Sequence, residues 1–291
     1  MSPAPARLRV GVLGCGHMGQ LHARRVQAMA NLDLLAVVDP AGVPKDLPGA
    51  ASLPELDAVV IATPADTHRS LAQPLLEAGV ACLIEKPLAT QVEDLDVLAQ
   101  FERVSVNHLE RFNPAVRALP AGLGPRYFAS ERLGSFQRRG SEVDVALDLM
   151  VHDLDLLGWL TGHQEPSLMR ATGLPVMTSG VDMVEAWIEV GDCVAKLSAS
   201  RVSPRPQRSL RLVSPQAYYS LDLRQGRGHT TSTQDLTQRE LHLDQGDALS
   251  HMHRAFFAAV RGLEPFPVPA HEAAFAARWA LAVSDAARAR L

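Results

Sequence analysis

Four of the five ionisable side chains in residues 143–160, which otherwise read as a helix that is apolar nearly all round, recur at spacings of four, four and three: Asp144, Asp148, His152 and Asp155. Those spacings put them on one helix face. A polar stripe on a buried helix has to meet water, a partner or a ligand. An aspartate one turn before a histidine can fix its tautomer and raise its basicity, as a general base requires. A satisfied core histidine beside an exposed acidic edge fits the same spacing. A metal site would need more ligands, and His251 with His253 is the only other obvious pair, so no metal is expected. Lys86 is the second candidate. It follows an apolar strand and precedes Pro87, where an amine could hold a substrate hydroxyl and stabilise alkoxide character. Glu85 could pair with that ammonium or with a cofactor hydroxyl. A plain surface lysine after a strand is the competing reading.

The elements that would position these groups begin near the N-terminus. An apolar run over residues 9–13 reads as a buried parallel strand, and a helical rhythm follows Gly19. Between them lies Gly14-Cys15-Gly16-His17-Met18-Gly19, a GxGxxG turn. Gly14 permits the tight turn, Gly16 lets a pyrophosphate approach the backbone, and Gly19 lets helix and strand pack closely. A second strand, residues 34–38, ends at Asp39, where a ribose 2′-hydroxyl would be held. A carboxylate there favours NAD over NADP, whose 2′-phosphate it would repel.

The alternation continues through a strand at 57–62, a helix from His68 to about Ala78, a strand at 80–84, a helix at about 92–101 and a strand at 104–106. The Pro/Gly-rich passage between Asp39 and Pro54 leaves little room for a second crossover helix. Such a pattern means a parallel sheet, with ligands outside the carboxyl ends of its strands. Thr63, Pro64, Glu85 and Lys86 all sit at such ends, with His68 close behind. From about Tyr127 the pattern changes to β-rich segments at 127–133, 183–190, 194–200, 210–213 and 217–223, which predict a largely antiparallel sheet. Helices are expected at about 145–160, 247–261 and 272–290. Pro114, Pro120 and Gly122 mark the boundary, giving domains at 1–115 and 116–291.

The composition narrows the function. A net charge of −4 and few aromatics speak against a nucleic-acid partner. No run approaches the length of a bilayer span, and the first residues lack an apolar signal core, which predicts a soluble, cytoplasmic protein. Cys15, Cys82 and Cys193 have no metal-like or disulfide-like spacing and read as reduced, buried thiols. Two arginine groups, Arg132, Arg138 and Arg139 near Gly134 and Gly140, and Arg201, Arg205 and Arg208 in a Ser/Pro loop, could meet an anionic substrate or be solvated loop charge.

Together the glycine turn, Ala62-Thr63-Pro64 with His68, Glu85-Lys86-Pro87, and Asp148-x-x-x-His152-Asp153 resemble the glucose–fructose oxidoreductase / inositol dehydrogenase / MocA family, in order along the whole chain. The resemblance implies an α/β protein: an N-terminal Rossmann domain plus a C-terminal α+β domain whose largely antiparallel open sheet packs in homo-oligomers. It implies NAD(P)-dependent hydride transfer at a sugar-type secondary alcohol. By position, Lys86 would be the family's lysine, His152 the acid/base and Asp148 its neighbour. Residues 107–114, with Arg111 and Asn113, and residues 147–155 are similar to members that oxidise the 3-hydroxyl of UDP-N-acetylglucosamine. Arg111, Asn113, Arg132, Arg138 and His152 would then face the nucleotide sugar. The chain departs from the family in its short 40–56 segment, a trimmed join before Val104, and Leu109 where many members carry asparagine. A dehydrogenase for inositol or a free sugar, and a non-catalytic NAD(P)-binding sensor, are the rival expectations.

Overall fold

The computed structural model describes residues 6–138, 142–243 and 246–289, so Arg139 and Gly140 lie outside the described residues. The chain forms two compact units, Met1–Asn107 with Ser250–Ala274, and His108–Leu249 with Phe275–Leu291. The contiguous ranges read from the sequence thus meet a discontinuous division. The helix α6 (Ala248–Val260) and the start of α7 (Ala270–Arg288) belong largely with the first unit. Among the described residues no helix is long and apolar enough to cross a membrane.

The first unit is built on five parallel strands, β1 (Leu8–Leu13), β2 (Leu32–Val38), β3 (Ala58–Ile61), β4 (Ala81–Ile84) and β5 (Val104–Val106). Their order is β2-β1-β3-β4-β5. Val10, Val12, Val59, Val60, Leu83 and Ile84 are wholly buried, as expected when helices cover both faces of a parallel sheet. Those helices are α1 (His17–Ala28), α2 (His68–Glu77) and α3 (Val92–Leu98). The chain runs from β1 out to β2 and crosses back to β3. The crevice outside the carboxyl ends of β1 and β3 is therefore the switch point at which doubly wound sheets bind ligands. No helix joins β2 to β3. Instead Val37 bridges Gly49, with Val37 N–H on Pro48 O and Ala50 N–H on Val37 O.

The second unit carries an eight-stranded sheet, ordered β13-β12-β11-β10-β6-β9-β8-β7. Five strands match the segments read from the sequence: β6 (Tyr127–Leu133), β8 (Met183–Val190), β9 (Cys193–Ser200), β10 (Gln207–Val213) and β11 (Ala217–Asp222). Three others do not: β7 (Leu168–Leu174), β12 (Arg227–Ser232) and β13 (Gln238–Glu240). The last two are polar, so partner strands rather than an apolar pattern specify them. Among the described residues of this sheet only the β6–β9 pair is parallel. Alternate residues of β8 and β11 are buried, and this inner face shares a core with Leu154 and Leu157 and with Ala276, Trp279 and Val283 of α7.

The segment expected as one helix is broken. Residues Ala146–Met150 form a π turn, and α5 proper runs Val151–Leu160. The wider turn rotates the face downstream by roughly 100° relative to an unbroken α-helix. The stripe from Asp144 to Asp155 is therefore not one continuous face.

Candidate active site

In the first unit the turn after β1 has the geometry its glycines require. Gly14 sits at φ +87°, and a Cβ there would lie 2.5 Å from Ala62 O. A Cβ on Gly19 would lie 2.0 Å from Gly14 O, so only glycine lets α1 come this close to the strand. Gly16 differs: nothing lies within 4 Å of the place its Cβ would occupy. That open side, above the first turn of a helix whose N-cap Gly16 has no side chain to occupy the N–H groups, fits a pyrophosphate. His17 is exposed and Met18 half-buried beside it.

Asp39 reaches the same turn from the end of β2. Its Oδ2 accepts from Cys15 N–H at 2.5 Å and its Oδ1 from Ala41 N–H at 2.7 Å. Both oxygens retain lone pairs for a ribose hydroxyl. Across the switch point, Thr63 Oγ1 accepts from Thr67 Oγ1 at 2.7 Å, and Pro64 is exposed. These residues fit a dinucleotide.

His68 is buried, with Nε2 3.0 Å from Thr63 O and Nδ1 3.1 and 3.2 Å from Pro87 O and Leu88 O. Its ring ties together the turns after β3 and β4, and burial pushes its pKa down against those carbonyl bonds. Lys86 is half-buried at the end of β4, and its peptide bond to Pro87 is cis. The Glu85 carboxylate turns into the unit, onto His22 and Asn107.

In the second unit Asp148 lies in the π turn and His152 in the first turn of α5, both half-buried. The buried His108 ring stands edge-on to His152, with centroids 6.0 Å apart. The two ends of the stripe are occupied by partners of this same unit. Asp144 accepts from Val181 N–H at 2.9 Å and pairs with Arg288 at 2.8 Å. Asp155 receives Arg111 through two bonds, at 2.8 and 2.7 Å. Burial alone would raise the Asp155 carboxyl, but Arg111 and His108 outweigh it and hold it below the ordinary value. Of the readings open to the stripe, water, a partner or a ligand, its two ends thus take partners.

The arginines divide similarly. Arg132 is buried, with Asp153 on two nitrogens at 3.0 and 2.8 Å and Glu110 on a third at 2.8 Å. Burial pushes the Asp153 carboxyl up even against that guanidinium. Arg201 reaches Val181 O at 3.0 Å and Asp182 at 3.2 Å. Asn113 caps α4 (Pro114–Arg117) through Ala115 N–H and donates to Glu110 and Leu223 O. Arg138, Arg205 and Arg208 are exposed, with Arg208 Nη1 3.8 Å from Glu110. Sequence reasoning misses Glu110 as the hub of this network, and it offers His253 only as a metal partner of His251. His253 instead lies 2.7 Å from His22.

Residues 8–107 match the oxidoreductase family with an NAD-binding Rossmann fold. The chain is 35% identical over 283 residues to UDP-N-acetylglucosamine 3-dehydrogenase of Acidithiobacillus ferrooxidans, spanning 89% of this chain and 90% of that protein. It is 30% identical to the rhizopine catabolism protein MocA of Rhizobium meliloti, over 64% of this chain and 68% of that protein. A solved structure of the Acidithiobacillus ferrooxidans enzyme matches with a TM-score of 0.90 at 34% identity, covering 98% of this chain and 99% of that one. Fold, cradle and relatives together define a nicotinamide-dependent dehydrogenase acting on CH–OH groups. The chain belongs to the Gfo/Idh/MocA family of oxidoreductases.

Proposed function

We propose that the protein oxidises the 3-hydroxyl of UDP-N-acetylglucosamine with NAD. The match over 89% of this chain and 90% of an enzyme named for that reaction carries the substrate reading. NAD is preferred over NADP because the Asp39 carboxylate stands at the turn and would repel a 2′-phosphate. Residues 1–115 bind the dinucleotide through Gly14, Gly16, His17, Met18, Gly19, Asp39, Thr63, Pro64 and the Glu85-Lys86 turn. His68 serves that site by holding the turns after β3 and β4 together. Residues 116–291 take the sugar and the contacts of a homo-oligomer. Three buried free cysteines suit a reducing cytoplasm.

A bound nicotinamide would supply the acceptor for the hydride that leaves the carbon bearing the hydroxyl. His152 takes the hydroxyl proton on an unprotonated ring nitrogen, so the secondary alcohol becomes a ketone. The Lys86 ammonium holds the oxygen as negative charge develops on it. Asp148 steadies His152. Arg138 and Arg208, exposed cations of the second unit, are suited to the diphosphate, while the buried Arg111, Arg132 and Asn113 shape the wall behind the sugar.

Lys86→Ala and His152→Ala should each cut turnover by about 10²–10⁴-fold while NAD still binds. Normal turnover in both would sink the assignment. NADH formation with UDP-N-acetylglucosamine, but not with inositol or free hexoses, is the expected substrate pattern. Reduction of NAD by inositol instead would move the reading to the free-polyol dehydrogenases. Tight NAD binding with no turnover on any of them would make the protein a sensor.

A further inference from the structure

Glu85, which follows β4, is the centre of a buried chain of side chains drawn from distant parts of the first unit. Its Oε1 accepts from His22 Nε2 at 2.9 Å and from Asn107 Nδ2 at 2.7 Å, and its Oε2 accepts from the Lys86 backbone N–H at 3.2 Å. His22 comes from α1 and Asn107 follows β5. On the far side of the His22 ring, Nδ1 lies 2.7 Å from Nε2 of His253 on α6. His22, Asn107 and His253 are each at most 1% exposed.

Elementary bookkeeping fixes the proton between Glu85 and His22. Burial alone would push the Glu85 carboxyl up, but His22 and Asn107 outweigh it and hold it below the ordinary value, so Glu85 is an anion. An anionic carboxylate only accepts, so His22 carries its proton on Nε2. The Nδ1 contact holds one proton: a neutral His22 takes it from His253 Nε2, and a charged His22 gives it to His253 Nε2. Each contact has one proton and one acceptor.

We infer that His22 and His253 are positioning residues for Lys86: the two imidazoles brace the Glu85 carboxylate, and the carboxylate holds the backbone N–H of Lys86, one bond from the Cα that carries its side chain. This inference rests on the reading of Lys86 as the group that holds the reacting oxygen. An apolar pair could fill the same volume, but it would leave Glu85 a buried anion short of a donor and free to turn. Displacement of a reacting group by about 1 Å costs on the order of 10²-fold in rate.

His253→Leu removes the partner of His22 Nδ1, whereas the side-chain amide of His253→Gln retains both a donor and an acceptor for it. His253→Leu should lower kcat about 10–100-fold with the NAD Kd within about twofold of wild type, and His253→Gln should recover most of that loss. The Lys86 backbone amide resonance should move in the leucine variant and return in the glutamine variant. Histidine ¹⁵N spectra of the wild type should show His22 protonated at Nε2. Equal losses in both variants, or a loss confined to NAD affinity, would reduce the pair to packing and overturn the inference. Unchanged kcat in His253→Leu beside a dead Lys86→Ala overturns it while leaving the Lys86 reading intact. Full turnover in Lys86→Ala defeats the Lys86 reading itself, and a Lys86 amide indifferent to His253→Leu then removes the brace as well. Should neither variant fold, the wild-type ring spectrum decides, and the opposite His22 tautomer refutes the chain.

Discussion

Arg111 grips both carboxylate oxygens of Asp155, Nε on Oδ2 at 2.8 Å and Nη2 on Oδ1 at 2.7 Å, and neither residue is more than 7% exposed. Planar two-pronged pairing of this kind is among the strongest side-chain contacts available to arginine. It removes Asp155 from the acids that could face a ligand. Arg111→Met strands a buried carboxylate and should cost about 3–5 kcal/mol of stability. The double replacement Arg111→Met with Asp155→Leu should cost less than either single change. Urea denaturation of the four proteins checks this, and additive losses would show that the pair does not act as a unit.

The glycines of the turn make opposite predictions. Gly19→Ala drives a methyl against Gly14 O and should lower both melting temperature and NAD affinity. Gly16→Ala meets nothing within 4 Å and adopts an ordinary backbone conformation, with φ −65° and ψ −166°. It should fold with an unchanged melting temperature yet bind NAD at least about tenfold more weakly, because the methyl stands where a pyrophosphate approaches. Calorimetric titration beside thermal melts separates the two.

Asp39 offers a test of cofactor choice. Asp39→Ser removes the charge that repels a 2′-phosphate and the acceptor for a ribose hydroxyl. NAD affinity should fall about 10–100-fold, the worth of one charged hydrogen bond, and NADP affinity should rise. Better binding of NADP than NAD by the unaltered protein would refute the preference.

Arg208 tests the diphosphate. Arg208→Ala should raise KM for the nucleotide sugar roughly 10–100-fold, the loss of one charged contact, with little change in NAD affinity. An unaltered KM would place the diphosphate elsewhere.

Asp182 predicts an acid-sensitive loop. It accepts from the N–H groups of Val176, Met177 and Thr178 at 2.8, 2.6 and 2.8 Å and from the Thr178 hydroxyl at 2.8 Å. Burial alone would raise its pKa, but these bonds outweigh it and hold the carboxyl at about 2, against an ordinary 3.8. A depressed folded-state value contributes stability above the unfolded value, and that stability is lost as pH falls from about 4 towards 2. Asp182→Asn should flatten this part of the acid limb in denaturation measured across that range. An identical limb in both proteins would refute the role.

Much of the first unit could be read from residues close together in the chain. The GxGxxG turn, Asp39 one strand later, and Thr63, Glu85 and Lys86 at strand ends follow from local periodicity and from the backbone freedom of glycine. The missing helix between β2 and β3 was legible in the Pro/Gly-rich passage. Alternation along β8 and β11 likewise announced a sheet with one buried face.

Tertiary structure decided which charged residues are already spoken for. Arg111 meets Asp155 across 44 residues, and His22 meets His253 across 231. A π turn rotates the stripe between Asp144 and His152, and most of α6 joins a unit whose last strand, β5, ends at Val106. Period and composition act over a few residues, whereas a buried charge takes whatever counter-charge the completed fold brings within about 3 Å, in an order the local sequence does not encode.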